Sequence, residues 1–146
     1  SERSGNQNIW LTNLATQQTR QLTKLTSPLL TNLHWSPNQS QLAFNAIVDG
    51  QQQIFTHTLS QAHENPVKQP ILGDLQQWLA DDSLLISQTH KAHSPLILFD
   101  NTKQLSQVLV EQGGNRAQIS TDKRQLFYSK ANQKAGNWRF ARCAMS

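Results

Sequence analysis

The residues of this chain with the readiest chemistry are five histidines, two adjacent aspartates and one cysteine. His90 and His93 lie three apart, and His57 and His63 six apart, spacings at which two imidazoles can approach one metal ion. Zinc takes three or four ligands, often with Cys or carboxylate at tight spacing, and neither pair has a third ligand nearby in sequence. Both pairs are therefore expected to be loop histidines, with no metal and no cofactor. Asp81-Asp82 is a carboxylate pair, but it falls between two apolar runs, where Asp is favoured for its own local hydrogen bonds, so a turn is expected. Cys143 has no second cysteine to pair with and reads as a small residue of a terminal strand. The chain holds no G-x-S-x-G elbow, no glycine-rich phosphate loop and no H-E-x-x-H, so no catalytic residue is assigned.

Binding chemistry is better represented. Asn32, His34, Gln77, Arg116 and Gln118 are polar residues at or just before a recurring bulky strand position, marked by Trp35, Trp78 and Ile119. If strand alternation holds, these polar groups face a channel while Trp35, Trp78 and Ile119 pack between sheets. A rim containing His and Arg suits a peptide end, an anion or a small polar ligand. Net charge is +4, and six of the 13 Lys and Arg residues fall late, at Lys123, Arg124, Lys130, Lys134, Arg139 and Arg142. They are spread through expected turns and strands with no recognition motif, so a solvated face is expected and no nucleic-acid contact.

The elements that hold these residues are set by an internal repeat. His34-Trp35-Ser36-Pro37-Asn38-Gln39-Ser40-Gln41-Leu42-Ala43-Phe44 is echoed by Gln77-Trp78-Leu79-Ala80-Asp81-Asp82-Ser83-Leu84-Leu85-Ile86 and by Gln118-Ile119-Ser120-Thr121-Asp122-Lys123-Arg124-Gln125-Leu126-Phe127-Tyr128. Leu42, Leu84 and Leu126 stand 42 residues apart. A second element shares the period: Ile9, Ile54, Leu96 and Trp138 open apolar runs at intervals of 45, 42 and 42 residues. The runs are short, rich in Ile, Phe, Trp, Thr and Leu, and partly alternating, which is the pattern of strands. Turn signals separate them at Ser36-Pro37-Asn38, Asp49-Gly50, Asn65-Pro66, Asp81-Asp82, Gly113-Gly114 and Ala135-Gly136-Asn137. Asp49-Gly50 suits a type I′ hairpin. Gln104 to Glu111 is the nearest approach to a helix and reads equally well as a strand with a bulge. The aromatics Trp10, Trp35, Trp78 and Trp138 recur at repeat positions and are expected in the core. The chain is thus expected to be all-β, and Pro95-Leu96-Ile97-Leu98-Phe99, among its longest apolar runs, is far short of the ~20 residues of a spanning helix.

Four short strands every 42 residues is the size of a β-propeller blade. The stretch Trp35-Ser36-Pro37-Asn38-Gln39-Ser40-Gln41-Leu42-Ala43-Phe44 resembles the W-S-P-D-G-x-x-[LIV]-A-[FY] signature of TolB-type, WD40-like propeller repeats. Asn8-Ile9-Trp10-Leu11-Thr12-Asn13-Leu14, followed by Thr19-Arg20-Gln21-Leu22-Thr23, is similar to that family's next strand pair. The later copies replace the proline with Ala80 and Thr121, and in all three copies the family's turn glycine is absent, with Gln39, Asp82 and Lys123 in its place. The layout predicted is an outer strand pair at 8–24 and modules at about 29–70, 73–111 and 115–143. That is about three and a half blades of an antiparallel propeller-like array, and closed propellers typically have at least four. Two copies of the chain completing one ring, with terminal strands exchanged, would resolve the shortfall.

The chain begins at Ser1 without a leader and reads as a piece of a longer protein. The resemblance implies a non-catalytic module that binds a protein or a small polar ligand. It implies a periplasmic place, in the manner of cell-envelope propellers. It also extends to the C-terminal sensor region of CadC-like regulators, whose winged-helix part lies before a single membrane span in an inner-membrane-anchored parent. In that case the membrane is met only through the parent chain. The alternative readings are the substrate-gating propeller of a prolyl-oligopeptidase-type serine peptidase and a TolB-like cell-envelope interaction protein.

Overall fold

The structure, a computed structural model, describes residues 8–24, 29–60, 65–131 and 138–144, with side chains as far as Lys130. Every regular element among the described residues is a β-strand, and none is a helix able to cross a membrane. The chain divides into two compact units, residues 1–72 and 73–146.

The first unit opens with β1 (Trp10–Thr12) paired to β2 (Thr19–Gln21). It continues as a four-stranded antiparallel sheet of β3 (Leu30–Trp35), β4 (Gln41–Val48), β5 (Gln51–Thr58) and β6 (Val67–Leu72), in that spatial order. The second unit repeats the plan with β7 (Asp74–Trp78), β8 (Ser83–Ser87), β9 (Leu96–Asp100) and β10 (Leu105–Val110). It closes with β11 (Ala117–Ile119), β12 (Gln125–Ala131) and β13 (Trp138–Ala144). Neighbouring strands are successive in sequence throughout, as short turns between antiparallel strands require. The ambiguous segment before Glu111 is strand β10, irregular between Val108 and Val110.

The turns show how one sequence pattern is reused. Ser36 Oγ donates to Asn38 Oδ1 at 2.8 Å and accepts from the Gln41 amide at 3.0 Å. Ser120 Oγ does the same with Asp122 Oδ1 at 2.6 Å and the Gln125 amide at 3.0 Å. Each turn then needs a left-handed residue, and the family's glycine position supplies it without glycine: φ is 60° at Gln39, 68° at Asp82 and 61° at Lys123. Asp49 and Gly50, with φ of 52° and 76°, form the left-handed pair of a type I′ hairpin between β4 and β5.

Strand alternation builds the cores. Leu42, Phe44 and Ala46 share one face of β4 and pack with Phe55 against Ile9 and Leu22, which flank the β1–β2 pair. The Phe44 and Phe55 rings stack at 5.7 Å. In the second unit Leu85 and Leu96 meet Ile119 and Leu126, so the β7–β10 sheet and the β11–β13 sheet share a core. Every residue of β8 is buried, which is why its sequence is an unbroken apolar run inside serines.

Two tryptophans expected in the core are not there. Trp10 and Trp35 are 48% and 49% exposed, whereas Trp78 is buried. The reasons are geometric: Trp10 lies on the face of β1 opposite Ile9 and Leu11, and the β1–β2 pair covers the β4 side of its neighbour's face, at Leu42 and Phe44, leaving Trp35 on edge strand β3 uncovered. Trp138 has no described side chain.

Candidate binding surface

Strand β11 is three residues long and lies at the edge of its sheet. Its pairing with β12 alternates. Arg116 C=O accepts from Ser129 N–H at 2.9 Å, Ser120 N–H reaches Gln125 C=O at 2.8 Å, and Gln118 lies opposite Phe127. The same alternation turns the N–H and C=O of Ala117 and Ile119 away from β12. Unmet polar groups at such an edge would cost stability or recruit another chain.

Two glutamines of β7 meet three of these four groups. Gln77 Oε1 accepts from Ile119 N–H at 2.7 Å, and Gln77 Nε2 donates to Ile119 C=O at 3.3 Å. Gln76 Oε1 accepts from Ala117 N–H at 3.1 Å. Consecutive strand residues normally point to opposite faces, but β7 carries a bulge between Leu75 and Gln77, so both amides reach the same edge. A side-chain amide has the donor and acceptor of a peptide group, and Gln77 stands in for the next strand. Around this clamp, Gly114 passes so close to Ser129 that a Cβ would lie 1.6 Å from the Ser129 carbonyl oxygen. Ser87 Oγ donates to the Gly114 carbonyl.

Next to the clamp is an open depression of about 350 Å³ lined by Gln76, Arg116, Ala117, Gln118, Phe127 and Tyr128. The Arg116 guanidinium and the Gln118 amide have no hydrogen-bond or ion-pair partner among the described residues, and both side chains are exposed. Phe127, directly across the strand pair from Gln118, is 47% exposed. Cation, amide and aromatic surface thus stand side by side.

The predicted rim residues divide between the units. Arg116 and Gln118 come together in this depression, and Gln77 has its amide engaged by Ile119. Asn32 and His34 lie on β3 of the first unit. Asn32, with φ of 55°, sits at a bulge and donates from Nδ2 to Asn45 Oδ1 at 2.8 Å, and Asn45 in turn donates to Gln53 C=O at 3.2 Å. His34 is half-buried, and that burial holds its imidazole below the usual histidine range. Sequence reasoning passed over Gln76, Phe127 and Tyr128. The tandem Gln76-Gln77 was the legible signal, because two long amides in a row suit a bulged strand beside an unpaired edge.

The two adjacent aspartates are engaged within the fold. Asp82 accepts from Trp78 Nε1 at 2.8 Å and from Thr102 Oγ1 at 3.1 Å. Asp81 pairs with Lys123 at 2.7 Å. Burial pulls the Asp81 carboxyl upward, but Lys123 and Ser83 outweigh it and the net displacement is downward. Asp122 is lowered by the Ser120 hydroxyl and the Arg124 amide. His57, expected in a loop, is instead buried within strand β5, opposite Leu42; His90 and His93 lie exposed in turns, and His63 lies outside the described residues. Among the described residues no three metal-ligating side chains converge. A second depression, lined by Leu11, Asn13, Gln18, Thr19 and Arg20, has its arginine tied to Leu59 C=O at 3.0 Å.

No protein-family model and no curated protein match this sequence. Solved structures do. TolB from Acinetobacter baumannii superposes with a TM-score of 0.75 at 16% identity, covering 99% of this chain and 37% of that one. A putative TolB from Agrobacterium tumefaciens gives 0.70 at 15% identity, covering 88% and 47%. The chain therefore spans less than half the length of either structure. The likeness establishes the fold: an all-β array of antiparallel propeller blades of the TolB type.

Proposed function

We propose that this chain is a non-catalytic, TolB-like interaction module of the cell envelope that receives a polypeptide segment on the β11–β12 face. The observation that carries this reading is the open depression in which Arg116 and Gln118 have no partner among the described residues and stand beside half-exposed Phe127. A guanidinium and a primary amide fit carboxylate and backbone groups, and an exposed phenyl ring fits an apolar side chain. An extended segment with an acidic and an apolar residue two positions apart presents both on one face. The likeness to TolB structures, and the repeat signature shared with TolB-type propellers, support placing the module in the periplasm.

A narrower form of the reading makes the module the periplasmic sensor of a membrane-tethered winged-helix regulator, with segment binding biasing the state of the parent. Its support is the repeat signature alone. A winged-helix region and one apolar span upstream in the parent gene would establish it.

The test uses a short acetylated peptide of Val-Thr-Glu-Thr repeats, which sets Val and Glu in turn along one face of an extended strand (the Val–Glu peptide), with Lys in place of Glu as control, followed by titration calorimetry. The acidic peptide is expected to bind with micromolar-range affinity, about −8 kcal/mol at 1 μM. Arg116→Ala and Gln118→Ala should each weaken it by about tenfold while leaving the fold intact. Equal binding of both peptides, or indifference to both substitutions, would overturn the assignment.

A further inference from the structure

The interface between the last two sheets of the second unit is a template for a contact whose two halves recur, unmatched among the described residues, on the β11–β12 pair and on β3. In that interface Gln77 passes its amide to the backbone of Ile119, and Leu85, which faces Gln77 across the strand pair, is fully buried against Ile119. One repeat later, Gln118 takes the place of Gln77 and Phe127 that of Leu85. Two repeats before Ile119, the same pattern position on β3 is held by Trp35. The equivalent residues differ sharply in exposure: Leu85 is 0% exposed and Phe127 47%, Ile119 is 3% exposed and Trp35 49%. Trp35 lies opposite Leu42, and Ser36 N–H reaches Gln41 C=O at 2.9 Å, so Trp35 turns its N–H and C=O outward as Ile119 does. The chain therefore carries both halves of one contact, a giving half at Gln118 and Phe127 and a receiving half at Trp35.

We propose that these halves join between two copies of the chain, Gln118 of each pairing with the outward backbone of Trp35 in the other. The proposal rests on the reading of the β11–β12 face as a surface for polypeptide and names its occupant as strand β3 of a second copy. Repeat alignment adds a requirement. β1 corresponds to β5, β9 and β13, so β1 of the incoming copy and β13 hold the same position in a blade. Association then sets that β1 against β12 in place of β13. The exchange brings Trp10 opposite Tyr128, the rung at which Phe55 and Phe44 stack in the first unit. Both half-exposed tryptophans gain cover in one step.

Sedimentation velocity from about 1 μM to about 500 μM, with tryptophan emission and amide exchange on the same samples, tests this. A discrete dimer is expected, with emission shifting to the blue and the Trp35 amide gaining protection as the residue 138–144 amides lose it. Gln118→Ala should weaken the dimer by about tenfold, and Trp35→Phe should remove part of the blue shift while preserving the fold. Mixing Gln118→Ala chains with Trp35→Ala chains should restore one of the two contacts and give a mixed dimer tighter than either variant alone. A monomer at the highest concentration, or a dimer indifferent to Gln118 and Trp35, would overturn the proposal. If the monomer still bound the Val–Glu peptide, the face would stand as a binding surface and only its occupant would be wrong. If neither association nor peptide binding occurred, both readings would fall.

Discussion

Replacing Gln77 by Ala removes two hydrogen bonds at once, at 2.7 Å and 3.3 Å, and leaves the N–H and C=O of Ile119 without their partner. Ile119 is 3% exposed, and each buried group left unmet costs about 1–3 kcal/mol. The expected loss is therefore about 2–4 kcal/mol, a large share of the stability of an average domain. At about 3 °C per kcal/mol for a chain of this length, the melting temperature should fall by roughly 6–12 °C. Gln77→Glu keeps the acceptor for Ile119 N–H but sets a carboxylate oxygen against Ile119 C=O, so its loss should be no smaller while the carboxylate is ionised and should ease in acid. Gln118→Ala is the internal control: it stands at the same repeat position with an unengaged side chain and should change stability by less than about 0.5 kcal/mol at low micromolar concentration. Urea unfolding followed by tryptophan emission and by circular dichroism gives both numbers. A loss below about 0.5 kcal/mol for Gln77→Ala would refute the clamp, and with it the template on which the second-copy contact is built.

Other perturbations probe separate features. Gln39 holds φ of 60° with its side chain exposed, so Gln39→Gly should stabilise by about 0.5 kcal/mol in thermal unfolding, the relief of a left-handed residue less the added chain entropy. Gly114→Ala should lose roughly 2–3 kcal/mol or more, because the new Cβ meets Ser129 backbone and not a movable side chain. His34 favours its neutral form in the folded state, so its contribution is complete above the unfolded value of about 6.5 and declines as pH falls toward the lowered folded value. Stability against pH for His34→Gln should accordingly be flatter than wild type over about pH 7 to 5. Asp81 is lowered on balance, so its pairing with Lys123 should help above about pH 4 and fade in stronger acid, and Lys123→Ala should remove that acid limb.

The fold was legible because several levels of the sequence agreed. The 42-residue spacing of Leu42, Leu84 and Leu126, the Ser36 and Ser120 turns, and the unbroken β8 run all require short antiparallel strands. The absent turn glycine did not alter the fold, since Gln39, Asp82 and Lys123 adopt the left-handed conformation at modest cost. Exposure was harder to read. Trp10 and Trp35 have the composition of core residues, but Trp10 lies on the face of β1 opposite Ile9 and Leu11, and the limited reach of the β1–β2 pair leaves Trp35 uncovered. The surface itself was half legible. Arg116 and Gln118 were marked by their offset from Ile119, whereas Gln76 depends on a bulge and Phe127 on strand pairing, neither of which the sequence announces. Gln77 shows the limit most clearly, because residues at one repeat position can close an interface in one module and stand open in the next.

The most direct measurement is a residue-resolved amide chemical-shift titration of the chain with the Val–Glu peptide, at a concentration where the chain is monomeric. Shifts centred on Arg116, Gln118, Phe127 and Tyr128, lost in Arg116→Ala, are the predicted result. Shifts confined to residues outside the β11–β12 face, or none at saturating peptide, would contradict it.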